Sequence, residues 1–86
     1  MKVYLVYEND GWEGHYNFEG IYSTKEKASK RVAEIILKHW DDFMNNELED
    51  YNKQFNTHLT REQFATVAAK EGGYDESGSW EEKEVQ

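Results

Sequence analysis

Apolar residues occupy consecutive positions at the start of the chain, a pattern that predicts a strand buried on both faces. Residues 2–8 read KVYLVYE, and the five central positions are all β-branched, aromatic or leucine. A strand that is apolar on both faces usually lies in the middle of its sheet. Turn-forming residues follow at 9–11, and the segment 15–22 (HYNFEGIY) has the composition of a second strand. The pattern therefore predicts an antiparallel hairpin.

After the hairpin the apolar residues recur at helical spacing. Ser23 and Glu26 have the separation of a capping box. Apolar positions from Ala28 to Phe43 then form one stripe, which predicts a long helix to about Asn46. On the polar side of this helix, the spacing of lysine and glutamate at positions 30, 34 and 38 allows ion pairs one turn apart.

The remainder of the chain predicts shorter elements. Residues 48–55 continue the helix after a kink, and Thr60 with Gln63 forms a second capping box. The helix that this box begins ends near Glu71, where two glycines supply a C-cap. Residues 80–85 carry enough charge for a strand at the edge of a sheet.

These elements predict one α+β domain over residues 1–86. The sheet has three mainly antiparallel strands in the order 2-1-3 (ββααβ), with the long helix and one or two shorter helices packed on it. The other face of the sheet is predicted to carry Tyr4, Val6, Ile21 and Trp80. Because an exposed apolar face usually marks an interaction site, this face predicts a dimer interface or a partner site.

The distribution of charge along the chain bears on the kind of partner that the domain could bind. The chain carries 18 acidic and 10 basic residues, a net charge of −8, and the two signs are segregated. Five acids against one base lie in residues 41–60 and again in 72–86, whereas residues 23–40 hold five bases and two acids. An acidic field repels phosphate backbones and attracts basic protein surfaces, so direct binding of nucleic acid is not expected.

The sequence also predicts a compartment. Cysteine is absent, which rules out disulfides and suits a reducing cytoplasm. Neither a signal peptide nor an apolar run of membrane-spanning length is recognisable, so the expected location is the cytoplasm of a bacterial host cell.

No residue pattern indicates catalysis or a cofactor. The three histidines, His15, His39 and His58, lack the close spacings of metal ligands, and His39 lies on the apolar stripe as a buried, satisfied ring. Adjacent carboxylates on a helix diverge by about 100°, so they do not converge on one substrate atom. We therefore expect no catalytic residue, metal or cofactor. A small metal-binding or enzymatic protein stays an alternative, and it requires the histidines to converge with carboxylates.

Two segments resemble a group of small phage and bacterial proteins of unknown function. Met1–Glu8 is similar to that group's MKVYxV first strand, and Gly20–Ala28 is similar to its G-[IV]-[FY]-S-T-K-E-K-A junction between strand and helix. The resemblance implies a phage or mobile-element origin and a β-β-α core, and it transfers no catalytic residue. In that group the C-terminal strand often follows the first helix closely, whereas here Asn45–Tyr74 intervenes.

The functional hypothesis is a non-enzymatic, phage-type inhibitor that binds a host protein. Its acidic surface would imitate nucleic acid and block a nucleic-acid-handling defence protein, as an anti-CRISPR or anti-restriction protein does. The alternative is a structural or regulatory homodimer of a mobile element with no foreign target. The hypothesis requires the carboxylates to merge into one ridge. The predicted partner-binding carboxylates are Asp41, Asp42, Glu47, Glu49, Asp50, Asp75, Glu76, Glu81, Glu82 and Glu84. The predicted aromatic anchors, if they are exposed, are Trp12, Trp40, Tyr51 and Trp80.

Overall fold

The computed structural model describes residues 1–9, 16–74 and 77–85. Over these residues the chain forms an antiparallel sheet of four strands and three helices, so the predicted α+β class is confirmed. In chain order the elements are β1 (Lys2–Asn9), β2 (Tyr16–Tyr22), α1 (Lys25–Lys38), α2 (Asp42–Phe55), α3 (Arg61–Lys70), β3 (Gly73–Tyr74) and β4 (Gly78–Glu84).

The strand order is β2-β1-β4-β3, with every pair antiparallel. The predicted hairpin, the central position of β1 and the place of the C-terminal strand beside it are confirmed. The predicted count of three strands is wrong, because the two-residue β3 pairs with the beginning of β4. The predicted edge position of the C-terminal strand is wrong for the same reason, since β3 is the edge strand beside it. Gly72 and Gly73 have φ angles of +111° and +84°, and this left-handed backbone turns the chain from α3 back along β4.

The single long helix that was predicted is in fact two helices, α1 and α2, separated at residues 39–41. Asp41 is the N-cap of α2, and its carboxylate accepts a hydrogen bond from the Met44 N–H at 3.0 Å. The Trp40 indole donates to the Asn45 side chain at 2.6 Å across the same corner. The prediction failed because aspartate favours a cap over a helix interior, although the apolar stripe continues past it.

Of the two capping boxes predicted from the sequence, the first is wrong by one residue and the second is confirmed. The N-cap of α1 is Thr24, whose side chain accepts from the Lys27 N–H at 3.2 Å, so the box predicted at Ser23 is wrong by one residue. Serine and threonine cap a helix in the same way, and their adjacency leaves the boundary open. The predicted box at Thr60 and Gln63 is confirmed, with hydrogen bonds of 2.9 and 3.3 Å in the two directions.

A β-bulge decides which residues of β2 face the helices. Val6 pairs with Gly20, but the next residue, Tyr7, pairs with Phe18, so Glu19 has no partner of its own. An extra residue shifts the alternation of side chains by one position. Tyr16 and Phe18, before the bulge, therefore lie on the opposite face of the sheet from Gly20 and Tyr22, which follow it.

The exposed face of the sheet differs from the predicted one. Val6 is fully buried, and Tyr4 and Trp80 pack against the core, so their assignment to the exposed face is wrong. Ile21 is correctly assigned, with 62% of its surface exposed. We call the side away from the helices the open sheet face, and it is formed by Val3, Leu5, Tyr7, Phe18 and Ile21.

The core lies between the sheet and the pair α1 and α3. Ile35 of α1 is fully buried and lies directly over Gly78, where an added Cβ would come within 2.6 Å of the Ile35 side chain. Small residues let α1 and α3 approach closely, as ridges-into-grooves packing requires. The buried apolar residues are Val6, Ala28, Val32, Ile35, Ile36, Met44, Phe64, Ala65, Ala68 and Ala69.

Ion pairs tie α1 to the sheet, and along the helix Glu34 bonds to Arg31 and not to Lys30 or Lys38 as predicted. Lys38 Nζ and His39 Nε2 lie 2.9 and 2.5 Å from the same oxygen of Glu8 on β1. Arg31 bonds to Glu19, the bulge residue of β2, and also to Glu34. Hydrogen bonds from Lys38 and then His39 lower the pKa of Glu8 below its usual range.

The lowered pKa makes the contribution of Glu8 to stability dependent on pH. Because the carboxyl is more acidic folded than unfolded, it stabilises the fold above its unfolded pKa and loses that effect as the pH falls. We expect Glu8→Gln to lower the free energy of unfolding at about pH 6 and to have a much smaller effect at about pH 3. Urea unfolding at both pH values measures this.

The matched control is Glu71→Gln, which removes an exposed carboxylate that makes no ion pair among the described residues. It should not reproduce the change with pH. An equal loss of stability at both pH values for Glu8→Gln would show that the carboxylate acts by packing and not through its charge.

Candidate partner-binding surface

Helix α2 has one face in the core and one face in solvent. Met44 is 2% exposed, and Tyr51 packs against Phe64 of α3 with ring centroids 5.5 Å apart. Leu48 lies one turn from both and also contacts the core. The opposite side of the helix is polar by the same periodicity. We call its exposed carboxylates the acidic face of α2, and they are Asp42, Glu49 and Asp50.

The carboxylates of residues 41–50 make no ion pair within the described parts of the chain. Asp41 caps the helix, and Asp42 lies in the first turn, where the helix dipole stabilises a negative charge. Glu47 is half-buried, and the others point to solvent. The acidic face of α2 is therefore available to cations from outside the chain.

The carboxylates of β4, unlike those of α2, have partners within the chain. Glu81 accepts a hydrogen bond from the Tyr7 hydroxyl at 3.1 Å on the open sheet face. Glu82 lies 3.6 Å from the Lys2 ammonium, and Glu84 lies 3.1 Å from the N-terminal ammonium. Strand alternation places Glu81 on one face of the sheet and the other two on the opposite face. These three carboxylates do not form one array, and each has a partner within the chain.

The contact between Tyr7 and Glu81 also changes the tyrosine. Desolvation, followed by the hydrogen bond to the Glu81 carboxylate, raises the pKa of Tyr7. The phenol therefore keeps its proton to higher pH than usual, and the hydroxyl stays a donor to Glu81. This contact links the two middle strands, β1 and β4, on the open sheet face.

The three predicted aromatic anchors that the structure describes, Trp40, Tyr51 and Trp80, do not meet the condition of exposure. Trp40 is half-buried, stacks edge-on to Phe64 at 6.2 Å and lies beneath the Arg61 guanidinium at 5.4 Å. Trp80 is also half-buried, and its indole N–H donates to the Ala69 carbonyl. With Tyr51, which packs on α3, these rings stabilise the fold. Trp12, Asp75 and Glu76 were also predicted site residues, and they lie outside the described residues.

Two exposed aromatic residues on α2 were missed. Phe43 is 44% exposed with its ring edge-on to Tyr74, and Phe55 is 55% exposed and contacts Tyr51. They lie at the two ends of the helix, where the apolar stripe runs past the residues that can cover it. The sequence shows both rings near polar helix ends, but their exposure depends on how α2 packs against α3 and β3.

The described residues that could hold a metal do not gather into one site. Within the described chain, no three His, Asp or Glu side chains come together as a set of ligands. His39 bonds to Glu8, His58 is exposed on the loop before α3, and His15 lies outside the described residues. The structure therefore supplies no geometry for the metal-binding alternative in the part of the chain that it describes.

None of the described helices is long and apolar enough to cross a membrane. No curated protein and no solved structure matches the chain. A family described as a domain of unknown function (DUF7336) matches residues 1–58, which span β1, β2, α1 and α2. Because this match covers most of the 86 residues, the chain belongs to the DUF7336 family of uncharacterised proteins.

Proposed function

We propose that this protein is a non-enzymatic binding protein that presents the acidic face of α2 to a basic surface on another protein. The observation that carries the proposal is that Asp42, Glu49 and Asp50 are exposed and make no ion pair among the described residues. A partner's lysine or arginine can bind them without displacing an internal base. Such complementarity raises association rates and selects the partner.

The exposed rings at the ends of α2 add apolar contact area to this charge. Phe43 and Phe55 are separated by twelve residues, which is about 18 Å along a helix. Interfaces are typically dominated by a few aromatic anchors within a polar rim. Phe43 is next to Asp42 and can border the acidic face, whereas Phe55 extends the apolar stripe beyond Tyr51 on the other side of the helix.

The proposed partner is a protein whose basic groove binds nucleic acid. A helix with several unpaired carboxylates competes for such a groove by the same electrostatics that attract phosphates. In a phage or mobile element, the targets would be host defence proteins, such as CRISPR effectors or restriction enzymes. The single ridge of carboxylates that was predicted from the sequence does not form among the described residues, because Glu81, Glu82 and Glu84 of β4 have partners within the chain. What supports the proposal is therefore the acidic face of α2 alone.

A homodimer formed through the open sheet face is the second candidate. Phe18 and Ile21 are 56% and 62% exposed beside one another on this face, although both are apolar. Covering them with a second copy would stabilise an assembly by burying apolar surface. A low cost in stability for Ile21→Ala would argue against a covered sheet face and so against this candidate.

The test of the acidic face compares two double variants of equal net charge. Glu49→Gln with Asp50→Asn removes two charges from α2, whereas Glu62→Gln with Glu71→Gln removes two exposed charges from α3 and its C-cap. Binding is measured to purified CRISPR effectors and restriction enzymes over a range of salt concentrations. We expect the α2 variant to bind about tenfold more weakly and the α3 variant to bind within about twofold of wild type.

Three results would contradict the proposal. The first is the absence of binding to every protein of the panel. The second is an equal loss of affinity in both double variants, which would indicate a response to net charge without a defined site. The third is an affinity that does not fall as salt rises, because contacts between exposed charges are screened within about 10 Å at 0.1 M salt.

A further inference from the structure

A cavity of about 390 Å³ opens between α1 and α3, on the side of the molecule where basic residues collect. Its walls combine helix backbone, the stems of long side chains and Ala33, with charged groups at the rim. Cavities of a few hundred Å³ are of the size that takes small ligands. The polar residues that line it are Lys25, Glu26, Ser29 and Lys30 of α1, and Thr66 and Lys70 of α3.

The three lysines of this cavity make no ion pair within the described residues. Lys30 has a glutamate one turn away in sequence, but Glu34 instead bonds to Arg31. Three lysines and one glutamate at the rim leave a local charge of +2 on a chain whose net charge is −8. A positive pocket on an acidic protein attracts small anions that the rest of the surface repels.

The Lys25 ammonium is held in place by an aromatic ring. The ammonium lies 5.5 Å from the centre of the Trp80 ring, within the range of a cation–π interaction. Trp80 itself is anchored by its hydrogen bond to the Ala69 carbonyl. The charge at this end of the cavity is therefore positioned by the fold, and less side-chain entropy is lost when an anion binds.

Ser29 borders the cavity without offering it a hydrogen bond. The residue is 8% exposed and its Oγ is fully buried, so an anion in the cavity does not reach the hydroxyl. The lysines are therefore the groups that would hold an anion at this site.

We propose that this cavity binds a small molecule that carries a phosphate group. The local charge of +2 matches a phosphate monoester, which is close to doubly charged at neutral pH. Lysine binds phosphate as a point charge and does not require the fork geometry of arginine. The alanine and the lysine stems provide an apolar wall for the organic part of the molecule. This site is separate from the acidic face of α2, and it does not depend on the proposed function.

The test titrates the ¹⁵N-labelled full chain with inorganic phosphate and, separately, with adenosine monophosphate. We expect saturable NMR shift changes confined to residues 25–33 and 66–70, with either probe or with both. Lys30→Gln and Lys70→Gln should each weaken binding about tenfold, as the loss of a charge-assisted contact predicts. Lys27→Gln is the matched control, because this exposed lysine of α1 does not line the cavity, and it should bind as wild type does.

Ser29→Ala is a second control. It removes a buried hydroxyl that an anion in the cavity does not reach, so neither the melting temperature nor the affinity should fall. Thermal melts of each variant establish that it is folded before it is titrated. The proposal is overturned if neither probe gives saturable shifts in these residues, or if Lys27→Gln loses as much affinity as Lys30→Gln.

Discussion

Replacing Gly73 with alanine is expected to lower the free energy of unfolding by about 3 kcal/mol or more. Two effects add at this position. Its φ of +84° is strained for any residue with a Cβ, and the added methyl would meet the Gly78 carbonyl and the Val32 side chain. The Cα of Ser79 would lie only 2.9 Å away. Because β3 and β4 are paired backbone, they have little room to move.

Gly72 is the matched control for this substitution. Its φ of +111° is also in the positive region, but an added Cβ would meet no atom within 4 Å. Gly72→Ala therefore introduces strain without a clash, and it should cost about 1–2 kcal/mol. Urea unfolding of both variants measures the difference. Equal costs would show that β3 does not lie against β4 as described, because the clash would then be absent.

Replacing Ile35 with alanine is expected to cost about 2–5 kcal/mol, the second large effect. Ile35 is a residue of α1, and its fully buried side chain packs against Gly78 of the sheet. Gly78 has no side chain that could move to fill the space, so the truncation leaves a cavity in the core. Chemical denaturation should show a lower midpoint with an unchanged slope, since the folded state stays as compact as before.

Ile21→Ala is the same truncation at a residue that is 62% exposed, so it controls for chemistry and changes only burial. For the isolated chain we expect it to cost less than about 1 kcal/mol. A cost close to that of Ile35→Ala would mean that the open sheet face is covered in solution. That result would favour the homodimer over a chain with this face exposed, and the cost would then depend on protein concentration.

Local patterns in the sequence predicted the elements that depend on local physics. The consecutive apolar residues of β1 indicated a central strand, and the box at Thr60 and Gln63 located the start of α3. The two glycines after α3 predicted its end, and their positive φ angles confirm it. Each of these features depends on residues a few positions apart, so the sequence contained the information needed.

Errors arose where local preferences competed or where distant segments decided the outcome. The apolar stripe indicated one helix through residue 43, but the capping preference of Asp41 divided it. The bulge at Glu19 reversed the faces of β2, and strict alternation cannot anticipate an extra residue. The Arg31 side chain bonds to the bulge residue across the space between helix and sheet, a contact that no sequence spacing predicts.

The candidate site was predicted in part. Acidic residues on α2 were among the predicted carboxylates, but sequence could not separate them from those of β4, which have partners within the chain. The tryptophans and Tyr51 were predicted to be anchors only if exposed. In the structure, the rings of Trp40, Tyr51 and Trp80 pack against the core. Exposure is a property of the packed chain, so composition cannot assign it.

By itself, the sequence determined the fold class, the hairpin, the start and end of α3, and an excess of negative charge. These follow from side-chain chemistry and from spacings of two to four residues, which act before any tertiary contact forms. The tertiary structure alone decided which charges are neutralised, which sheet face stays open and where lysines surround a cavity. Those outcomes depend on distances between residues far apart in the chain, and such distances are set only when helices pack on the sheet.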